Sequence, residues 1–375
     1  MTSRTQEDHA RVTAAIADDS VEKLFTHRFL FATELFESLV DAACFANLDA
    51  LGAFSGPSFD PRELGVVARA EHALGYHVRK LETRGYLARH GDRYHRTGAA
   101  PASPEACAQA LAEVPEASVG GEIVSLLVAE GPAFFRGEKS GEEILFSPIR
   151  LPLWFRYFSN DNLLYSVNNE LGALALSREL PPGGSILEVG GGCGSAAELA
   201  LRSLEGRVAR YVFTEVVPTF LRRGERAARA AARGAEVCAL KLDMTRPWEP
   251  QGIVPGSFDA VYSVNCFHVA PDLDFVLREA RAAVKPGGLV AVSECLRPTH
   301  VDTPIYVEFI FNFLESFTNV GLHGTRRPNH GFLTPAAWRA SFEHAGLGNV
   351  QVTPDVDRVA ETYPFFFVGA LTARA

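Results

Sequence analysis

The sequence predicts an α/β fold, in which a mostly parallel β-sheet carries helices on both faces and follows a mainly helical N-terminal domain. From residue 181 onwards, strand-like runs alternate with helix-like runs, which is the pattern of βαβ units. The first strand leads into the glycine-rich stretch ILEVGGGCGS, residues 186–195, and a helical pattern follows it. Before residue 181, apolar residues recur mainly at helical spacing.

The composition is typical of a globular protein, with 47% hydrophobic and 22% charged residues among 375. The formal net charge of −9 disfavours a nucleic-acid partner, because binding a phosphate backbone requires positive charge. The six cysteines form no CxxC pair, which favours reduced thiols. The N-terminus is polar, and no uninterrupted apolar run reaches the roughly 18–20 residues of a membrane span. We therefore expect a cytoplasmic protein without a membrane partner.

Residues 21–118 predict a winged-helix-like domain, after a flexible N-terminus at residues 1–20. Helical patterns are followed by YLARHGDRYHRTG, which predicts two short strands turning at His90-Gly91-Asp92. Such domains occur in DNA-binding proteins, and the last helix here carries three basic residues, Arg79, Lys80 and Arg84. Acidic residues in the same domain favour instead a solvated face, or a helix that packs or dimerises.

Residues 119–180 predict a helical linker or lid. The part from 154 to 169 combines aromatic side chains with four asparagines. Aromatic faces attract a cationic ligand, and amides bind an amino-acid group, so we select Tyr157, Tyr165 and Asn168 as site candidates. An ordinary linker helix that buries its aromatic residues is the alternative.

The glycine-rich stretch predicts a ligand site at the carboxyl end of the first strand of the sheet. Strand, glycine loop and helix allow a tight turn and a close approach of the backbone to a ligand. The spacing is E-x-G-x-G-x-G, from Glu188 through Gly190 and Gly192 to Gly194, rather than the dinucleotide pattern G-x-G-x-x-G. A carboxylate before the loop would repel a pyrophosphate and suit a cationic ligand.

Residues at the ends of the next three strands extend this site. Glu215 ends the second strand about 20 residues after the loop, where an acidic side chain accepts hydrogen bonds from ribose hydroxyls. Asp243 and Met244 follow the third strand and are placed to hold an adenine ring. Asn265 follows the fourth strand, in SFDAVYSVNCFH.

Five stretches of residues 181–375 resemble, in the same order, the motifs of class I S-adenosylmethionine-dependent methyltransferases. They are ILEVGGGCG, TEV, LDM, SFDAVYSVNCFH and VKPGGLVAVSE. The resemblance implies S-adenosyl-L-methionine as cofactor and a Rossmann-like sheet closed by a C-terminal antiparallel hairpin, here NVQVTP and PFFFVGALTA. It also implies a small metabolite as substrate, specialised metabolism, and a homodimer formed through the winged-helix-like domain. An NAD-binding Rossmann domain is the weaker alternative.

The resemblance places catalytic candidates near the ends of strands four and five. His268 is a candidate general base or substrate partner, since histidine titrates near neutral pH; a plain pocket-wall residue is the alternative. Residues 298–334 form an insertion whose His323 and Arg326 could bind a substrate carboxylate, with Arg327 and His330 nearby. A metal on His268 and a loop histidine is conceivable, but the spacing is no metal signature, and we assign none.

Two other functions stay open. Some proteins of this kind consume S-adenosylmethionine itself and form azetidine-2-carboxylate and methylthioadenosine, which an aromatic cage around residues 157–169 would suit. A DNA-binding regulator that senses the cofactor through an inactive methyltransferase fold is less favoured, because the cofactor motifs look intact and the helix lacks a basic stripe.

Overall fold

The computed structural model describes residues 3–299 and 304–375. Within this part, the chain divides into two compact units. The first comprises residues 3–5, 27–157 and 304–318, and the second comprises residues 6–26, 158–299 and 319–375. The helical segment predicted for residues 119–180 and the insertion predicted for residues 298–334 are therefore each divided between the units.

Most helices fall in the predicted helical regions, but Ser3–Ala15 is helical although residues 1–20 are predicted to be a flexible N-terminus. In chain order they are α1 (Ser3–Ala15), α2 (Asp19–Glu22), α3 (His27–Ala50), α4 (Glu71–Thr83), α5 (Pro104–Leu111), α6 (Ser118–Phe135), α7 (Gly141–Leu145), α8 (Leu151–Tyr157), α9 (Leu163–Glu179), α10 (Ser195–Ser203), α11 (Pro218–Ala231), α12 (Leu273–Ala283), α13 (Glu308–Phe311), α14 (Glu315–Thr318), α15 (Pro335–His344) and α16 (Val356–Thr362). Several begin at side-chain caps: the carboxylate of Asp272 accepts the backbone N–H of Phe275 at 2.8 Å before α12.

The strands also follow the prediction. They are β1 (Leu87–His90), β2 (Arg93–Arg96), β3 (Gly184–Glu188), β4 (Val208–Thr214), β5 (Glu236–Leu240), β6 (Phe258–Val264), β7 (Val284–Cys295), β8 (Gly348–Thr353) and β9 (Val368–Arg374). In the first unit, β1 and β2 pair antiparallel around the predicted turn.

The second unit contains one seven-stranded sheet in the order β5-β4-β3-β6-β7-β9-β8. The strands from β5 to β7 are parallel, whereas β9 runs antiparallel to both β7 and β8. This confirms the predicted α/β sheet with its antiparallel C-terminal hairpin. The order reverses between β3 and β6, where open α/β sheets bind ligands.

The first unit buries charged side chains that a DNA-binding surface would expose. Lys80 has no exposed surface and forms an ion pair with Glu37, while Arg84 pairs with Asp41 at 2.7 Å. Lys80 Nζ also donates to the carbonyl of Pro304 at 3.2 Å. Two of the three basic residues considered for DNA binding thus support packing between α3, α4 and the segment that begins at residue 304.

Residues Pro115–Phe135 are long and apolar enough to cross a membrane by length and composition, and half of the stretch is buried within the protein. Three glutamates interrupt it in the sequence, so it contains no uninterrupted apolar run of membrane-spanning length. Such burial is also what a core helix shows.

Candidate active site

The glycine loop after β3 is shaped by contacts that exclude side chains. Gly190, Gly192 and Gly194 all have positive φ angles, of 69°, 54° and 85°. A Cβ atom at Gly190 would lie 2.1 Å from Cys266 Sγ, and one at Gly194 would lie 2.6 Å from the Cα of Gly224. A Cβ at Gly192 would meet no described atom within 4 Å. The loop is therefore packed on its inner side and open at Gly192.

Glu215 lies beside this opening. Its carboxylate is only 7% exposed and accepts the backbone N–H of Gly192 at 3.0 Å and that of Val217 at 2.8 Å. Each carboxylate oxygen has a second lone pair, so both can still accept hydroxyl protons. The residues present therefore fit a ribose held at the loop, as the sequence predicts.

Replacing Glu215 by alanine should weaken cofactor binding by about 1–3 kcal/mol, because a hydrogen-bonded charged partner is lost. Calorimetric titration with S-adenosylhomocysteine measures the change. Replacement of the surface residue Glu236 by alanine is the control. An unchanged affinity would contradict the assignment of Glu215 to the ribose.

Glu188 is buried beneath the loop. Its Oε2 accepts the hydroxyl of Tyr211 at 3.0 Å, and its Oε1 has no hydrogen-bond partner among the described residues. Burial raises the pKa of Glu188 from 4.5 to about 8, because desolvation disfavours the ionised form. The sequence argument that an ionised carboxylate repels pyrophosphate therefore does not hold as stated, and a role in binding the cofactor remains a prediction.

This burial predicts a pH dependence of stability. Between about pH 4.5 and pH 8, folded Glu188 retains a proton that the unfolded chain has lost, so the free energy of unfolding contributed by Glu188 falls as pH rises. Glu188→Gln should remove this decline, as measured by denaturant unfolding across that range. A Glu236→Gln variant that flattened the profile equally would contradict the assignment.

Residues from the third and fourth strands reach the same loop. Met244 Sδ lies 3.8 Å from Cys266 Sγ, and Cys266 packs against Gly190. Asp243 has a local role in this structure, since its Oδ1 accepts both the backbone N–H and the hydroxyl of Thr245. Met244 is thus brought to the loop, while the predicted contact of Asp243 with adenine remains a prediction.

Asn265 links three elements at the carboxyl edge of the sheet. It has a positive φ of 47°, which is uncommon outside glycine and is often found at functional sites. Its Oδ1 accepts the backbone N–H of Cys295 at 3.0 Å and the amide of Asn168 at 3.4 Å. The structure therefore brings the predicted residues Asn168 and Asn265 together.

His268 forms a buried pair with a residue that the sequence analysis missed. Its Nδ1 lies 2.7 Å from Oε2 of Glu294, near the end of β7, and both side chains are buried. The Glu294 carboxylate also accepts the backbone N–H of Cys266 at 3.2 Å. With Nδ1–H donated to this carboxylate, neutral His268 keeps a lone pair on Nε2, the arrangement of a general base.

The remaining candidates lie in different surroundings. Tyr157 belongs to the first unit and packs edge-on against Trp154, whereas Tyr165 belongs to the second and packs against Phe158. His323 is exposed. Arg326 forms an ion pair with Asp274 at 3.0 Å, which leaves its predicted contact with a substrate carboxylate as a prediction.

Two asparagines of the predicted cage support the helix after the glycine loop. Asn160 Nδ2 donates to the carbonyl of Ser195 at 3.0 Å, and Asn169 Nδ2 donates to Asn160 Oδ1 at 2.9 Å. These bonds hold the start of α9 against the start of α10. Within residues 3–299 and 304–375, no group of three or more His, Cys, Asp or Glu side chains could hold a metal ion.

The strand order, the glycine loop and Glu215 form a candidate ligand site at the carboxyl edge of the sheet. The family described as "Methyltransferase domain" matches residues 187–290. The crystal structure of the CurJ carbon methyltransferase has a TM-score of 0.78 at 20% identity and covers 99% of this chain and 98% of its own. The citrinin polyketide synthase CMeT domain has a TM-score of 0.78 at 18% identity, covering 100% of this chain and 97% of its own.

Residues 187–290 therefore match a methyltransferase domain, and the chain has the fold of class I S-adenosylmethionine-dependent methyltransferases. A third similar structure is the trans-methyltransferase CalH in complex with SAH, with a TM-score of 0.62, 19% identity and 90% coverage of both chains.

Among curated relatives, the highly reducing polyketide synthase valA of Aspergillus terreus is 30% identical over 260 residues, which are 66% of this chain and 10% of valA. The lovastatin diketide synthase lovF of Aspergillus terreus is 28% identical over 264 residues, 69% of this chain and 10% of lovF. The chain thus spans about a tenth of the length of these relatives.

Proposed function

We propose that this enzyme methylates carbon, and that its acceptor is the acidic carbon between the two carbonyl groups of a β-ketoacyl thioester formed in polyketide assembly. The single observation that carries this proposal is the buried His268–Glu294 pair. A carbon nucleophile of this type arrives with its proton still attached, so transfer to carbon needs a base, whereas an already ionised acceptor needs only alignment.

The pair can supply that base from this chain's own groups. Glu294 holds the Nδ1–H of His268 and stabilises the imidazolium that forms when Nε2 takes the proton from the acceptor carbon. S-adenosylmethionine held at the glycine loop and Glu215 would supply the methyl group, its methyl–sulfur bond breaking as the new C–C bond forms. His268 then releases its proton to solvent, so the base is regenerated.

The relatives support the choice of acceptor. Two of them are named as a polyketide synthase and a diketide synthase. Among the structural neighbours, one is named as a carbon methyltransferase and another as the CMeT domain of a polyketide synthase. The small-metabolite substrate predicted from the sequence becomes, in this proposal, an acyl thioester. No specific observation favours the cyclisation of S-adenosylmethionine or the DNA-binding alternative.

The experiment that tests the proposal is mass spectrometry of products formed from S-adenosylmethionine with and without acetoacetyl-N-acetylcysteamine. We expect S-adenosylhomocysteine only when the thioester is present, and a thioester heavier by one methylene, with the new methyl placed on the α-carbon by NMR. Methylthioadenosine formed without acceptor would indicate cyclisation instead, and methylation on oxygen would contradict the assigned acceptor atom.

We further propose that residues 21–118 act as a winged-helix-like dimerisation domain in a cytoplasmic homodimer. The succession of α4 and the β1–β2 hairpin supports the domain type. Light scattering of the full chain and of a variant with substitutions on this domain tests self-association. A monomer at micromolar concentration would contradict it.

A further inference from the structure

We propose that Arg327 is a positioning residue for the His268–Glu294 pair: its guanidinium fixes the turn that carries His268. The inference rests on the proposed function, because it concerns the base of the same reaction. The sequence analysis considered Arg327 only as one of several loop residues near a substrate carboxylate.

The surroundings of Arg327 are unusual for an arginine. Its side chain is 1% exposed. Its Nη1 donates to the carbonyl of Ala270 at 3.0 Å and its Nη2 donates to the carbonyl of His268. Among the residues that the structure describes, no carboxylate forms an ion pair with it, and its Nε has no hydrogen-bond partner. A buried cation without a direct counter-ion is costly. The two hydrogen bonds to carbonyl groups are the contacts that offset part of this cost.

The two carbonyls belong to a single short turn, one inside it and one at its end. Residues Phe267–Val269 form a 3₁₀ turn directly after β6, and Arg327 binds the carbonyl groups at His268 and at Ala270. Phe332, from the same segment as Arg327, packs on the His268 ring with 4.4 Å between ring centroids. The segment after residue 319 therefore holds both the backbone and the ring of the base.

The charge of Arg327 strengthens these contacts. Burial lowers the pKa of Arg327 to about 10, which leaves the guanidinium charged at neutral pH. Hydrogen bonds from a charged donor are stronger than those from a neutral donor, so the two carbonyl groups of the turn are held firmly.

Three variants of the chain test this role, with kcat and KM for acetoacetyl-N-acetylcysteamine and the Kd of S-adenosylhomocysteine measured for each. For Arg327→Met, we expect kcat to fall tenfold or more while KM and Kd change little, because the turn that carries His268 loses both of its carbonyl bonds. For Arg327→Lys, we expect a smaller fall in kcat, since one of the two carbonyl bonds is kept. Arg339→Met is the matched control, because Arg339 also donates to a carbonyl, that of Val350 at 2.6 Å, in a different part of the sheet.

The outcomes are distinguishable from failure of the proposed function. If the unmodified enzyme does not methylate the thioester on carbon, the proposed function fails. If it does, and Arg327→Met loses no more rate than Arg339→Met, or its Kd for S-adenosylhomocysteine rises as much as its kcat falls, the role assigned to Arg327 is wrong. Should Arg327→Met not fold, an Arg327→Lys variant with the kcat of the unmodified enzyme would also contradict that role.

Discussion

Replacing His268 by alanine is expected to lower kcat for transfer to a β-ketoacyl thioester by about 10²–10⁴-fold, the usual contribution of a positioned general base. The imidazole is buried, and no other histidine among residues 3–299 and 304–375 shares its contact with Glu294. Cofactor affinity should change little, because the loop contacts of Gly192 and Glu215 do not involve His268. Single-turnover rates together with calorimetric titration of S-adenosylhomocysteine measure the two effects separately.

Glu294→Gln is the companion variant, because it keeps the shape of the side chain and removes the charge that stabilises the imidazolium. We expect a smaller loss of kcat than for His268→Ala, because the glutamine oxygen still accepts the Nδ1–H of His268. If His268→Ala retained the rate of the unmodified enzyme, the pair would have a structural role only, and the acceptor would be deprotonated by other means.

The framework of the cofactor site could be predicted from the sequence because local patterns determine it. The strand before ILEVGGGCG, the helix after it and the acidic residue at the end of the second strand all follow from short-range signals. Parallel strands then bring their carboxyl ends to one edge, which is why Glu215 and the loop meet at Gly192 as expected.

The base partner was missed for a reason that lies in the pairing of strands. Glu294 appeared in the quoted motif VKPGGLVAVSE, but its role depends on the neighbour of β7. The register places Val264 opposite Ser293, so residues that follow these two positions, among them His268 and Glu294, meet at the same edge. A search for acidic residues at the ends of strands adjacent to His268 would have found this pair.

Other predictions failed to specify contacts because those contacts are non-local. Nothing in the sequence near Arg326 shows that it pairs with Asp274, 52 positions away. Likewise, Glu188 reads as an ionised residue until the fold buries it against Tyr211. Charge state and pairing depend on burial, which single-sequence patterns do not determine.

The glycine loop provides the second large expected effect. Gly194→Ala should lower the free energy of unfolding by about 2–5 kcal/mol, because a left-handed conformation strains alanine and the new methyl would meet backbone. That backbone is the Cα of Gly224 in α11, at 2.6 Å, so α10 and α11 would have to separate. Denaturant unfolding of the purified chain measures the loss.

Gly192→Ala is the matched control, since it has the same strained backbone but open space in place of the contact. We expect it to cost stability only through strain, about 1–2 kcal/mol, while the methyl occupies the side from which the cofactor approaches and weakens S-adenosylhomocysteine binding by tenfold or more. Equal losses of stability in the two variants would show that the contact with Gly224 does not shape the loop. An unchanged affinity in Gly192→Ala would place the cofactor away from the opening beside Glu215.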